Sequence, residues 1–216
     1  PHFKLRVFGN YRTRFRNNVK GESLLGQEDL PSNRPLSYGY VIVSVSFFIM
    51  MITYGISYCF GIFFKPLLAE FGWTRAETSA AYSLSTLVSG FLGIFAGRFS
   101  DWFGSRTVGV VCGFLFGLGF LLMSQIHVLW QFYLIYGLII AAGLGGCWPS
   151  LIPTVARWFV ARRGLMTGIV ASGSGFGTIV MPILANRLIS IYDWRFAYII
   201  IGGIPLVLIT LASLFL

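Results

Sequence analysis

Few residues in this sequence are equipped for covalent or metal chemistry. Histidine occurs only at His2 and His127, and the cysteines are Cys59, Cys112 and Cys147. The three cysteines have no spacing that suits a metal or a disulfide, and each falls in an apolar stretch, where cysteine packs as a small hydrophobe. Neither Ser172 nor Ser174 follows a glycine two positions back, so the Gly-x-Ser-x-Gly nucleophile elbow is absent. No Asp or Glu interrupts the long uncharged runs, which removes a paired-aspartate protease as well. The pattern predicts no enzyme, no metal and no cofactor. It leaves aromatic residues, a few arginines and a lone aspartate between two apolar runs. One stretch concentrates the oddity: Arg157, Arg162 and Arg163 crowd together, and no further charge appears until Arg187. The intervening residues include Gly164, Gly168, Gly173, Gly175 and Gly177, although each glycine costs a helix about 1 kcal/mol relative to alanine.

The elements that carry these residues follow from composition. Of 216 residues, 56% are hydrophobic and 11% charged, and the mean hydropathy is +0.77. Soluble domains carry about 25% charged residues. Runs free of charge extend over Pro35–Phe64, Thr78–Gly97, Thr107–Ala156, Gly164–Asn186 and Phe196–Leu216. A membrane-spanning helix takes about 20 mostly apolar residues. The third run is long enough for two spans, divided at Ser124-Gln125-Ile126-His127. Six membrane helices are therefore predicted, near 39–64, 78–98, 107–124, 128–156, 164–188 and 196–216. Pro149 and Pro153 each remove a backbone donor from the fourth, which predicts a bend there.

In such a setting the glycines have a use, because helices in lipid pack through small residues that let backbones approach. Gly93 and Gly97, Gly113 and Gly117, and Gly173 and Gly177 are GxxxG pairs, and Ala142 and Gly146 share the spacing. Basic residues give the orientation. Lys4, Arg6, Arg12, Arg14, Arg16, Lys20 and Arg34 precede the first helix. Arg98, Arg106, Arg157, Arg162 and Arg163 lie at turns on the same side, and Lys65, Arg75, Arg187 and Arg195 on the other. Cytoplasmic flanks collect Lys and Arg, so both termini are expected in the cytoplasm of a cell (plasma or inner) membrane. Residues 1–37 read as a basic, disordered cytoplasmic tail and 38–216 as the membrane domain. The net charge of +9 is then accounted for by the bilayer, without nucleic acid. Residues 1–20 also have the composition of a transit peptide.

Gly97 to Thr107, "GRFSDWFGSRT", resembles the signature of the major facilitator superfamily, G-x-x-x-D-(R/K)-x-G-x-(R/K)-(R/K). Gly97, Asp101, Gly104 and Arg106 match it, while Trp102 and Thr107 replace basic residues. The resemblance implies that Asp101 belongs to a latch that holds two halves of a transporter together. "RWFVARRGLMTGIVASGSGFG" is similar to the helix-five signature of monocarboxylate transporters and the oxalate–formate antiporter group. There Arg162, Arg163, Gly168, Gly173 and Gly177 carry the likeness. "YGISYCFGIFFKPLLAEFGWTR" and "DWRFAYIIIG" fit the same group, so the resemblance covers residues 38–216.

That resemblance implies an all-α fold of six helices in two inverted three-helix repeats, one half of a transporter. Tyr54 falls where the family has a substrate-facing tyrosine, and Tyr58 stands where the animal branch has a lysine. Trp148 takes the place of a helix-four aromatic, and these three are the implied substrate-lining residues. Lys65 is read as snorkelling to water. The implied function is transport of a small mono- or dicarboxylate by proton symport or anion exchange. Its partners would be that carboxylate, the lipid bilayer and a missing C-terminal half. The alternative is a non-transporting assembly or sensor protein on the same scaffold. The chain opens on Pro1 and closes on Leu216 inside an apolar run, and we expect a fragment of a longer protein.

Overall fold

The computed structural model of the protein describes residues 36–159 and 162–213. The expected tail lies outside the described residues, apart from Leu36 and Ser37. Within the described residues every long uncharged run is helical apart from the turn at 124–128 and the break at Cys59. The first span consists of α1 (Leu36–Tyr58) and α2 (Phe60–Phe71), parted only at Cys59. There the Cys59 amide donates to Ile56 O at 3.0 Å, a tighter turn than an α-helix makes, and the thiol donates to Gly55 O at 3.2 Å. The second span is α3 (Arg75–Phe103) and the third α4 (Ser105–Met123). In the fourth, α5 (Leu129–Leu134) runs through a π-helical turn, Ile135–Ile140, into α6 (Ala141–Trp158). The fifth is α7 (Arg163–Ile191) and the sixth α8 (Trp194–Ser213).

Counted from Tyr38 for the first, these spans measure 34, 29, 19, 30, 29 and 20 residues. At 1.5 Å per residue the longest reaches about 50 Å, past the roughly 30 Å of a hydrocarbon core. Helices consequently outrun the uncharged segments, and Asp101, Arg157, Arg163 and Arg187 are helical rather than in loops. The expected loop between the second and third spans shrinks to one residue, Gly104, at φ 84 and ψ 149. Only glycine is at ease in that region, so the turn needs it. Pro149 and Pro153 both lie inside the unbroken α6, and the irregularity of the fourth span sits upstream, in the π turn.

Packing reveals the repeat that the sequence scarcely shows. The second span meets the fourth so closely that a Cβ on Gly145 would stand 2.6 Å from Ser89 O. The first meets the fifth in the same manner, where a Cβ on Gly55 would stand 2.7 Å from Gly177 O. Between the third and sixth, a Cβ on Gly202 would come 2.7 Å from Leu121 N. Exchanging the first triplet of spans for the second turns the 2–4 crossing into the 5–1 crossing and maps the 3–6 crossing onto itself. The two spans with the smallest buried share, the second and the fifth, also exchange. Because each triplet crosses the bilayer an odd number of times, the second is inverted relative to the first. Trp73 follows the first span and Trp194 opens the sixth. Both indoles pack against Phe71, with ring centroids at 4.4 Å and 6.0 Å, as neighbours in one aromatic cluster.

Candidate functional site

Midway along the first, second and fourth spans the helices part around a cleft of about 460 Å3. α1 supplies Tyr54, Ser57 and Tyr58, α3 supplies Tyr82, Thr86, Ser89, Gly90 and Gly93, and α6 supplies Leu144, Gly145, Trp148 and Pro149. Helical spacing explains the set, since residues three and four apart share a face. Small residues on α3 and α6 let the two backbones touch, and the larger aromatic residues then border the space beside that crossing. Tyr54, Tyr58 and Trp148 therefore share one cleft, with the Tyr54 and Trp148 rings edge-on and 5.9 Å apart. Tyr82 was not legible as a lining residue. It stacks on Phe60 at 4.9 Å, and its place on the α3 face opposite Tyr58 depends on the packing. Among the described residues, no Lys, Arg, His, Asp or Glu lines the cleft. Lys65 is exposed on α2 and takes no part in the lining.

The signature residues around Asp101 gather at one end of the bundle. Asp101 Oδ1 accepts from Arg157 Nη2 at 2.9 Å, joining the second span to the fourth. Arg157 was read from the sequence only as an orientation charge, and no local spacing marks it as a partner 56 residues away. Beneath the pair, Ser105 Oγ lies 3.3 Å from Ser100 Oγ and 2.5 Å from Thr154 Oγ1, so hydroxyls tie the second, third and fourth spans. Gly97 faces Pro149, Gly104 makes the turn, and Arg106 is exposed. In the helix-five signature the residues divide by role. Arg162 and Arg163 stand exposed at the head of α7, and Gly168 has open space around it. Gly173 and Gly177 face α1, where a Cβ on Gly173 would sit 2.5 Å from Phe47 O.

A second charged cluster closes the opposite end. Arg195 Nη2 donates to Glu70 Oε1 at 2.8 Å and Nη1 to Ser124 O at 2.9 Å, while the Trp194 indole N–H donates to Glu70 Oε2. One arginine thus links the first span, the sixth, and the turn between the third and fourth. The Thr74–Glu77 capping box starts α3 nearby, and the Tyr133 hydroxyl donates to Glu77 O at 2.8 Å. His127 is exposed in the turn before α5, and the Ser172 and Ser174 hydroxyls donate to carbonyls of their own helix. Among the described residues, no group of three His, Cys, Asp or Glu side chains stands ready to hold a metal ion.

Six apolar spans arranged as two inverted triplets define a multi-pass membrane protein. Residues 46–216 match the family model of the Major Facilitator Superfamily, and the chain belongs to that superfamily. Among curated proteins it is similar to "Monocarboxylate transporter 9" of Mus musculus, 29% identical over 177 residues, with 82% of this chain and 35% of the relative covered. "Monocarboxylate transporter 14" of Homo sapiens is 29% identical over 169 residues, covering 78% of this chain and 33% of the relative. For "Monocarboxylate transporter 12-B" of Danio rerio the identity is 31% over 172 residues, with 78% and 35% covered. The chain spans about a third of the length of these relatives.

Proposed function

We propose that the protein moves a small mono- or dicarboxylate across a cell membrane by alternating access, as a proton symporter or an anion exchanger. The observation that carries this reading is the mid-span cleft in which Tyr54, Tyr58 and Trp148 meet. Tyrosine hydroxyls and an indole N–H can donate to a carboxylate, and they avoid the roughly 3 kcal/mol that a cation costs at bilayer depth on insertion scales. Relatives named as monocarboxylate transporters support the substrate class. A carboxylate leaving water still needs a strong counter-charge or several donors, and none of the described residues places a fixed cation in this cleft. The reading therefore includes a second six-helix half that supplies the facing wall and its cations, with the substrate between the two at mid-depth. Tail and cytoplasmic turns carry most of the basic residues, which supports a topology with both termini inside.

The test is flux. The 216-residue chain, reconstituted into liposomes with labelled oxalate, formate, lactate and pyruvate, should insert but not transport. Co-expression of a second six-helix half should restore saturable uptake. Saturable uptake by the chain alone would refute the need for a second wall. No uptake of any carboxylate by the paired halves would leave a non-transporting assembly or sensor role as the better reading.

A further inference from the structure

Five buried residues of the first span trace the face that it turns to the core: Ile52, Ile56, Cys59, Phe63 and Leu67. Their helical spacing, three or four residues at each step, carries that face through the break at Cys59 without a change of side. Tyr54, Tyr58, Gly61 and Lys65 each follow one of the first four by two positions, which is about 200° round the helix. They therefore form one stripe opposite the core. Tyr54 and Tyr58 line the cleft, and Tyr58 is 57% exposed. A Cβ on Gly61 would meet nothing within 4 Å. Lys65 is exposed at the far end of the stripe, about 10 Å along the axis from Tyr58. Snorkelling to water accounts for a lysine near a helix end but not for the face it takes. Helical side chains lean toward the helix N-terminus, and the N-terminus of α2 is its cleft end. The lysine stem can thus lie over Gly61, where no side chain obstructs it, with the ammonium above the mouth of the cleft. Glu70, also on α2, is taken by Arg195 and Trp194. Lys65 enters neither of the ion pairs among the described residues, Asp101–Arg157 and Glu70–Arg195.

We propose that Lys65 forms an anion subsite at the mouth of the cleft, holding a second carboxylate of the solute while the first lies deeper, at Tyr54 and Tyr58. The inference rests on the carboxylate reading above and gives this half a residue that favours dianions over monoanions. A short dicarboxylate lying along the stripe passes over Gly61, the one position there without a side chain. At the mouth the ammonium keeps its contact with water, so the subsite avoids the cost of a cation at mid-depth. An ion pair open to water contributes modestly, so Lys65 discriminates between solutes rather than driving their binding.

Succinate and succinamate isolate the second charge, because succinamate has a neutral amide in place of one carboxylate. Both are titrated by calorimetry against the transport-competent protein, this chain paired with a second half, in lipid nanodiscs at about pH 7.5, where carboxylates are ionised. Succinate should bind about three- to fivefold more tightly, the range of an ion pair open to water. The ratio should shrink as salt is raised, because exposed charges are screened. Lys65→Gln should bring the ratio to one and leave the affinity for succinamate unchanged. Lys65→Arg, which keeps the charge, should preserve the ratio. Position 65 is exposed, so both variants should fold, and an unchanged melting temperature checks that they do. Equal or weaker binding of succinate by the unmodified protein overturns the inference and leaves the carboxylate reading standing. A preference for succinate that survives in Lys65→Gln also overturns it, because the second carboxylate would then be held elsewhere. Saturable binding of neither compound overturns both readings.

Discussion

Removing the hydroxyl of Tyr54 while keeping its ring separates donation from packing. Tyr54→Phe should weaken substrate binding in the transport-competent protein by roughly tenfold, as expected for losing a hydrogen bond to a charged group. Tyr192→Phe, exposed at the end of the fifth span, is the control and should change nothing. Equal effects on competition binding would remove Tyr54 from the site. Asp101 offers the opposite dissociation. Its pair with Arg157 is exposed, 68% on the arginine side chain and 64% on the aspartate, and pairs in water stabilise a fold by about 0–1 kcal/mol. Asp101→Asn should therefore leave membrane insertion and thermal stability nearly unchanged while cutting transport severely. Wild-type flux in that variant would reduce Asp101 to a helix-end residue.

Between helices, glycine sets the closest approaches. Gly177→Leu places a side chain against the backbone of α1 and should lower the unfolding temperature in detergent markedly, by the equivalent of about 1–3 kcal/mol or more. Gly175→Leu, with open space around it, should not. A similar drop for both would mean that the glycines act through helix propensity rather than through the crossing. Much at this scale was legible beforehand. Freedom from charge over 20 residues fixes a span almost regardless of detail, so all six appeared, and Ser124 to His127 marked the division of the longest run. Helix ends were not legible, because a helix continues into the headgroup layer while the apolar signal stops at its edge. The π turn at Ile135–Ile140 and the break at Cys59 have no composition that distinguishes them from ordinary helix. Three aromatic residues of the cleft, Tyr54, Tyr58 and Trp148, came from family resemblance, whereas Tyr82 and Arg157 needed the packing of α3 against α6.

For the molecule as a whole, the two ends of the bundle differ in what closes them, and topology assigns each to a side of the membrane. Cys59, Cys112 and Cys147 are buried, so introduced thiols can be read against little background. A cysteine at Trp102, which is 75% exposed, should be protected from an impermeant maleimide in intact cells. One at Gln125, exposed at the opposite end, should label, and it leaves the Glu70–Arg195 cluster undisturbed. Labelling at Trp102 from outside would invert the orientation. Such labelling also reports on opening, since Trp102 lies one residue past the Asp101–Arg157 contact.

The π turn in the fourth span has a consequence for how insertions and deletions act. A helix advances about 100° per residue, and a π turn accommodates more residues per turn than its surroundings, as though one had been slipped into an α-helix. Deleting a single residue within Ile135–Ile140 would let the segment relax to ordinary α geometry without breaking the span. Because the turn already absorbs one extra residue, that deletion would keep the two flanks nearly in phase, whereas a deletion in the ordinary helix between the turn and Trp148 would rotate everything upstream by about 100°. Phe132 would swing away from the Trp73 ring that it now stacks on at 5.5 Å, and Tyr133 away from Glu77 O. The turn acts as a phase adjuster, absorbing one residue of length, so the chain length in the ordinary helix on either side of it is as constrained as the residues themselves.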